Sequence, residues 1–127
     1  MRKILVIEDD ASIRENTKEL LELNDLEVHT ASNGREGLDL IVKHSFDLVL
    51  CDIHMPNVSG YDVFKQMKSN PQLCKIAIVF MSASVQHTEK AEAMQLGIDG
   101  FIEKPFNEKN LLSTINSVIG EDKKSEE

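Results

Sequence analysis

Phe46-Asp-Leu-Val-Leu-Cys-Asp-Ile-His-Met-Pro56 is the stretch from which the fold can be read. Leu48 to Cys51 make an unbroken apolar run, too short for a helix and suited to a strand buried on both faces. Asp52 closes the run, and Pro56 cannot continue a ladder, so the chain turns there. Strands buried on both faces belong to parallel sheets covered by helices, and ligands of open parallel sheets gather at the carboxyl edge of the strands. Asp52 therefore stands either at a chemical site or at a turn that it merely caps.

The same signature recurs outward from this run. Lys3 to Ile7 is apolar and β-branched, and Glu8, Asp9 and Asp10 close it. Asp10 or Ser12 can cap the following helix, which sets Ile13, Thr17, Leu20 and Leu21 on one face. Glu27 to Ala31 is a second strand, and Asn33-Gly34 turns into a helix whose inward face is Leu38, Ile41 and Val42. Asp47 to Cys51 is the third strand. Ser59 with Asp62 resembles a capping box and opens a helix through Phe64 and Met67 that stops before Pro71. Ile76 to Met81 is the fourth strand and ends in Ser82-Ala83-Ser84. Glu89 to Leu96 is polar on most sides, which predicts a loosely held helix stopped by Gly97. Asp99 to Glu103 supplies a fifth strand, carrying Phe101 and Ile102 and ended by Lys104-Pro105. Asn107 caps a last helix with Leu111, Leu112, Ile115, Val118 and Ile119 facing inward, terminated by Gly120.

Five strand-then-helix units in strict alternation predict an α/β fold: a doubly wound, five-stranded parallel sheet with helices on both faces. At 127 residues the chain is expected to form a single domain over residues 1–120, and the charged stretch 121–127 to form a tail or the start of a linker. No apolar run approaches the ~20 residues that span a bilayer, and only four apolar residues follow Met-Arg-Lys, so the expectation is a cytoplasmic protein without a signal peptide. A net charge of -8 argues against direct contact with nucleic acid or an anionic membrane, which need a basic footprint, and favours protein partners. Cys51 and Cys74 have no metal or redox spacing and are expected as small core residues.

In this architecture the strand ends bring Glu8, Asp9, Asp52, Ser82 and Lys104 to one edge. Clustered carboxylates are hard oxygen donors suited to Mg²⁺. Lys104 and the Ser82 hydroxyl can hold oxygens of a transferred phosphoryl group, and Asp52 can attack phosphorus to form an acyl phosphate.

With Ile-Leu-Val-Ile-Glu-Asp-Asp, Asp52-Ile-His-Met-Pro with Gly60, Met81-Ser82-Ala83 and Lys104-Pro105-Phe106, the chain resembles a response-regulator receiver domain of two-component signalling, with a flavodoxin-like, CheY-like fold, over Lys3 to Gly120. The resemblance implies that Asp52 accepts phosphate from a histidine kinase or phosphotransfer protein in a Mg²⁺-dependent reaction. It implies Asp9 as a direct Mg²⁺ ligand, Glu8 as its support through water, and the backbone carbonyl of His54 as a further ligand. Ser82 matches the switch hydroxyl, Lys104 the phosphate-contacting lysine and Phe101 the rotating aromatic, with the change passed to a downstream protein partner through the last helices and strand. A cis Lys104-Pro105 bond is likewise implied. Such a chain is a signalling phosphoacceptor that assists its own phosphorylation and dephosphorylation, not an enzyme acting on other molecules. His54 fills a position that in the family tunes the lifetime of the phosphate. A Mg²⁺-dependent aspartyl phosphatase is the rival reading, but such enzymes carry a second Asp two residues after the nucleophile, where this chain has His54. A scaffold with a vestigial site is the third.

Overall fold

Each of the five apolar runs is a strand in the computed structural model, which describes residues 2–83 and 87–120. The order along the chain is β1 (Lys3–Ile7), α1 (Ala11–Glu22), β2 (Glu27–Ala31), α2 (Gly34–Lys43), β3 (Leu48–Asp52), α3 (Gly60–Ser69), β4 (Ala77–Ser82), α4 (His87–Leu96), β5 (Gly100–Glu103) and α5 (Glu108–Ile119). All pairings are parallel, and the strand order is β2-β1-β3-β4-β5. The order reverses at β1, so the carboxyl ends of β1 and β3 flank the switch point where open α/β sheets place their sites.

Alternation along the strands sorts the apolar side chains into two cores. Leu5, Ile7, Val49, Cys51, Ile78 and Phe80 pack on one face with Ile41, Val63, Phe64, Met67 and Ala93, which come from α2, α3 and α4. Ile4, Val6, Leu48, Leu50, Val79 and Met81 pack on the other with Leu21, Leu111 and Ile115 of α1 and α5. Each central strand is thus covered twice, which is why its sequence reads as continuous rather than alternating hydrophobicity.

Helix starts follow the expected chemistry. Asp10, not Ser12, caps α1 by accepting the Ile13 N–H at 3.1 Å. Asn33 caps α2, Ser59 and Asp62 form the capping box of α3, and Asn107 caps α5. Gly97, at φ +106°, ends α4 in a conformation that side chains with a Cβ avoid.

Several expectations need correction. Val42 is 64% exposed, because it borders an open groove where the end of α3 offers it the polar Gln66, Ser69 and Asn70; Leu38, Leu40 and Ile41 supply the packed face. Cys74 is only half-buried, on the turn after Pro71, whereas Cys51 is fully buried as expected. Strands β3 and β4 begin one residue later than expected and include Asp52 and Ser82 themselves, whose backbones stay in the ladder. Helix α4 begins at His87 and buries Ala93, while Met94 and Leu96 stay exposed, in keeping with a loosely held element. Residues 84–86, including Ser84, and the tail expected at 121–127 lie outside the described residues.

Gly60 locks α3 to the end of β3. Its N–H donates to the Ile53 carbonyl at 2.9 Å, and a Cβ there would meet the Asp52 carbonyl oxygen and Ile53 Cα, both at 2.9 Å. Both obstacles are backbone and cannot swing aside. Gly60→Ala is therefore expected to cost about 1–3 kcal/mol in urea unfolding, as overpacking does. A loss below about 0.5 kcal/mol, the level of a neutral surface change, would contradict this packing.

Candidate functional site

The carboxyl ends of β1, β3 and β4 and the turn after β5 meet at one edge of the sheet. Register places Ile7 beside Cys51 and Asp52 beside Met81, so Glu8, Asp52 and Ser82 emerge together at neighbouring strand ends. Lys104 follows β5, with its N–H donating to the Ser82 carbonyl at 2.9 Å, and the Lys104-Pro105 bond is cis.

Charge organises the centre of the site. Lys104 Nζ lies 2.6 Å from Glu8 Oε1 and 3.3 Å from Asp52 Oδ1, and the three side chains are 10%, 1% and 7% exposed. Two buried carboxylates therefore share one ammonium. Glu8 is held from three further sides. Its Oε2 accepts the Asp10 N–H at 3.1 Å, its carbonyl accepts Arg14 Nη1 at 2.9 Å, and its own N–H donates to the Ala31 carbonyl at 3.0 Å. Its other oxygen, Oε1, is the one that meets the Lys104 ammonium.

Burial raises the Glu8 carboxyl above its ordinary range, and Asp52 adds to the rise while Lys104 and the Asp10 N–H oppose it. Asp52 is also raised by burial, opposed by Lys104 and reinforced by the neighbouring Asp9. Burial pulls the Lys104 amine down, but Glu8 and Asp52 outweigh it, and the net shift is upward. Burial, with Asp52 and Glu8 nearby, pushes the Cys51 thiol far above its usual range, so it stays protonated and inert.

Carboxylate oxygens of Glu8, Asp9 and Asp52 all lie within 4.8 Å of one another. Three hard oxygen donors at that spacing, one of them exposed, suit a small hard cation that keeps several waters. The donor set thus fits Mg²⁺. A groove of about 530 Å³ opens beside the cluster, lined by Ser12, Ile13, Asn16, Ala83, Lys104, Pro105 and Phe106.

Ser82 is fully buried at the end of β4. Phe101 is half-buried on β5, opposite Phe80 in register, and packs against the core that includes Ala93 of α4. The His54 imidazole is 56% exposed but engaged: Nε2 lies 3.0 Å from Glu89 Oε2 on α4. Sequence reading did not find Arg14 or Glu89. Arg14 sits one turn after the cap Asp10, a helical spacing that could have pointed to it, whereas no local pattern links residues 54 and 89.

A family model described as Response regulator receiver domain matches residues 4–116. The chemotaxis protein CheY4 of Vibrio cholerae is 32% identical with a TM-score of 0.87, over 93% of this chain and 98% of that one. A response regulator receiver domain protein from Clostridium thermocellum is 33% identical with a TM-score of 0.85, over 94% of each chain. Among curated proteins, the transcriptional regulatory protein CpxR of Escherichia coli is 32% identical over 94% of this chain and 50% of its own length. The probable transcriptional regulator ycf29 of Pyropia yezoensis is 34% identical over 94% of this chain and 54% of its own length. The chain spans about half the length of these curated relatives.

Proposed function

The chain belongs to the response regulator receiver family, and from that premise we propose that Asp52 is its phosphoacceptor. The observation that carries the assignment is the Lys104 ammonium shared between buried Glu8 and Asp52, with Asp9 at the exposed rim. The donor is the phosphohistidine of a histidine kinase or phosphotransfer protein. An Asp52 carboxylate oxygen attacks phosphorus, the P–N bond to the donor imidazole breaks, and the imidazole leaves with the electron pair and takes up a proton. Lys104 moves its charge from Asp52 toward the arriving phosphoryl oxygens, where negative charge now concentrates. Ser82 contributes its hydroxyl on the β4 side.

Asp9 and Asp52, with the His54 backbone carbonyl, would hold Mg²⁺ directly, and Glu8 would support it through water. When bound, the ion neutralises charge on the transferred group. We assign residues 1–120 to the receiver and 121–127 to a tail or linker, and place the chain in the cytoplasm. Among the described residues no helix is long and apolar enough to cross a membrane. Its net charge of -8 favours a protein as the immediate downstream partner over nucleic acid or a membrane surface. The chain acts as a signalling phosphoacceptor, not as a phosphatase on other molecules; His54 stands where an aspartyl phosphatase would need its second Asp. Incubation with acetyl phosphate and Mg²⁺ separates the two: a receiver gains one phosphoryl group, whereas a phosphatase turns over phosphate monoesters.

Output is proposed to leave through α4, β5 and α5. An aspartyl phosphate adds a compact dianion with new acceptor oxygens, which draw the Ser82 hydroxyl inward. Phe101 turns into the space behind it, and α4, held by little apolar surface, shifts. Hydrogen exchange with and without beryllofluoride is expected to change from the end of β4 to the Lys104-Pro105 turn. Changes confined to α3 would overturn this output surface.

A further inference from the structure

At the edge of the sheet opposite the phosphoacceptor, two of the chain's four histidines stand together. His29 lies on β2 two residues after Glu27, so the two share a face of the strand, and His44 is the C-cap of α2, a helix packed against β2. The imidazole centroids are 5.2 Å apart, with the ring planes 37° from parallel. Both rings also rest against Phe46, at centroid distances of 5.5 Å and 6.1 Å, and Phe46 is only 6% exposed. One fixed ring of the core thus positions both imidazoles, while His44 stays open to solvent.

Stacking does not account for the third member of the group. His29 Nε2 lies 2.9 Å from Glu27 Oε2, and Lys3 Nζ lies 3.7 Å from the same oxygen. The Glu27 carboxyl is held below its ordinary value, first by the bond to His29 and further by the Lys3 charge. An ionised carboxylate only accepts, so Nε2 of His29 carries the proton and the lone pair of the neutral ring falls on Nδ1. A ring N–H donated to a carboxylate is the usual support of a metal-bound imidazole. Two imidazoles on one tetrahedral ion, each at about 2.0–2.1 Å, have centroids roughly 5 Å apart, as His29 and His44 have. We infer that His29 Nδ1 and a ring nitrogen of His44 form a site for a divalent late transition ion such as Zn²⁺, with Glu27 orienting His29 from behind. Imidazole selects such ions over the hard Mg²⁺ suited to the acidic cluster. Two protein donors leave the remaining positions to water, so the site is open, unlike a structural zinc centre. Glu27 opens β2 and pairs in register with Lys3, which opens β1, so the ion sits toward the amino edge of the sheet, away from Asp52. Its binding ties α2 to the edge strand and stands independently of the Asp52 assignment.

The test follows the histidine ring resonances of the full chain by NMR as ZnCl₂ is added, with Mg²⁺ in excess to occupy the acidic cluster. The His29 and His44 signals are expected to move together and to saturate at one ion for the pair, whereas Ca²⁺ should move neither. His44→Phe keeps a ring against Phe46 but removes its nitrogens, and should abolish the His29 response at the Zn²⁺ concentration that saturates the unsubstituted chain. Glu27→Ala should weaken binding about 10–100-fold, the effect of losing an outer carboxylate partner. His29 and His44 signals that ignore Zn²⁺ would overturn the inference in the unsubstituted chain, where folding is not in question. An undiminished His29 response in His44→Phe, or an affinity unchanged in Glu27→Ala, would overturn it equally.

Discussion

Asp52→Asn is expected to abolish phosphoryl uptake, leaving no adduct by intact mass after incubation with phosphoramidate and Mg²⁺. An amide matches the carboxylate in shape but not in nucleophilicity, because its nitrogen lone pair is delocalised and its oxygen carries no full charge. No neighbour can stand in. Glu8 is 1% exposed and ion-paired to Lys104, and Asp9 lies exposed at the rim of the cluster. Nor can unfolding mimic the result, since Asn removes a buried charge that its surroundings already disfavour and leaves Glu8 with its Lys104 partner. Asp9→Ala should instead weaken uptake by degrees, through loss of a metal ligand, and excess Mg²⁺ should recover part of it. Normal labelling of Asp52→Asn would rule the assignment out.

The second large effect concerns stability. Lys104→Met leaves Glu8 and Asp52 as two buried acids without their shared cation, and breaking a buried ion pair in this way costs about 3–5 kcal/mol. The sign of the pH dependence follows from the direction of the shifts. Both carboxyls are raised above their ordinary values of 4.5 and 3.8, so the folded state holds protons that the unfolded chain has released. Their contribution to stability is present below those values and is lost as pH rises through the raised pKa values. Lys104 itself is raised above 10.5, so its contribution is intact at neutral pH and lost only on passing into strong base. Removing Lys104 pushes the carboxyls further up and moves their loss of stability toward neutrality. Urea unfolding should therefore show a deficit that grows as pH rises from the acid side, with Mg²⁺ recovering most of it at the higher pH. A deficit independent of pH, or none, would show that the amine does not neutralise these acids.

Most of the architecture was legible because a strand covered on both faces writes itself as a short apolar run. Ile4 to Ile7, Leu48 to Cys51 and Ile78 to Met81 all read that way, and each is buried. Parallel pairing then brings strand ends together without further information, which is why Glu8, Asp52 and Ser82 could be grouped from sequence. Asp10 and Ser12 were both candidates for the cap of α1 from sequence, and only the 3.1 Å bond from the Ile13 N–H picks Asp10. What escaped depends on tertiary geometry. Val42 has helical spacing identical to a core position, yet it borders an open groove where α3 ends in polar residues. Cys74 was expected inside because nothing in its neighbours signals how far the turn after Pro71 stands from the core. The burial of Glu8 against Lys104 is a contact across the whole chain, and the pairing of His54 with Glu89 joins a loop to a helix that shares no pattern with it.

The most direct measurement is to locate the phosphoryl group. After incubation with phosphoramidate and Mg²⁺ the chain is digested and the labelled peptide sequenced by mass spectrometry, with and without hydroxylamine, which cleaves acyl phosphates but not phosphate esters. The account predicts a single label on Asp52, dependent on Mg²⁺ and released by hydroxylamine. A label on Ser82 or on a histidine, or one that survives hydroxylamine, would contradict it.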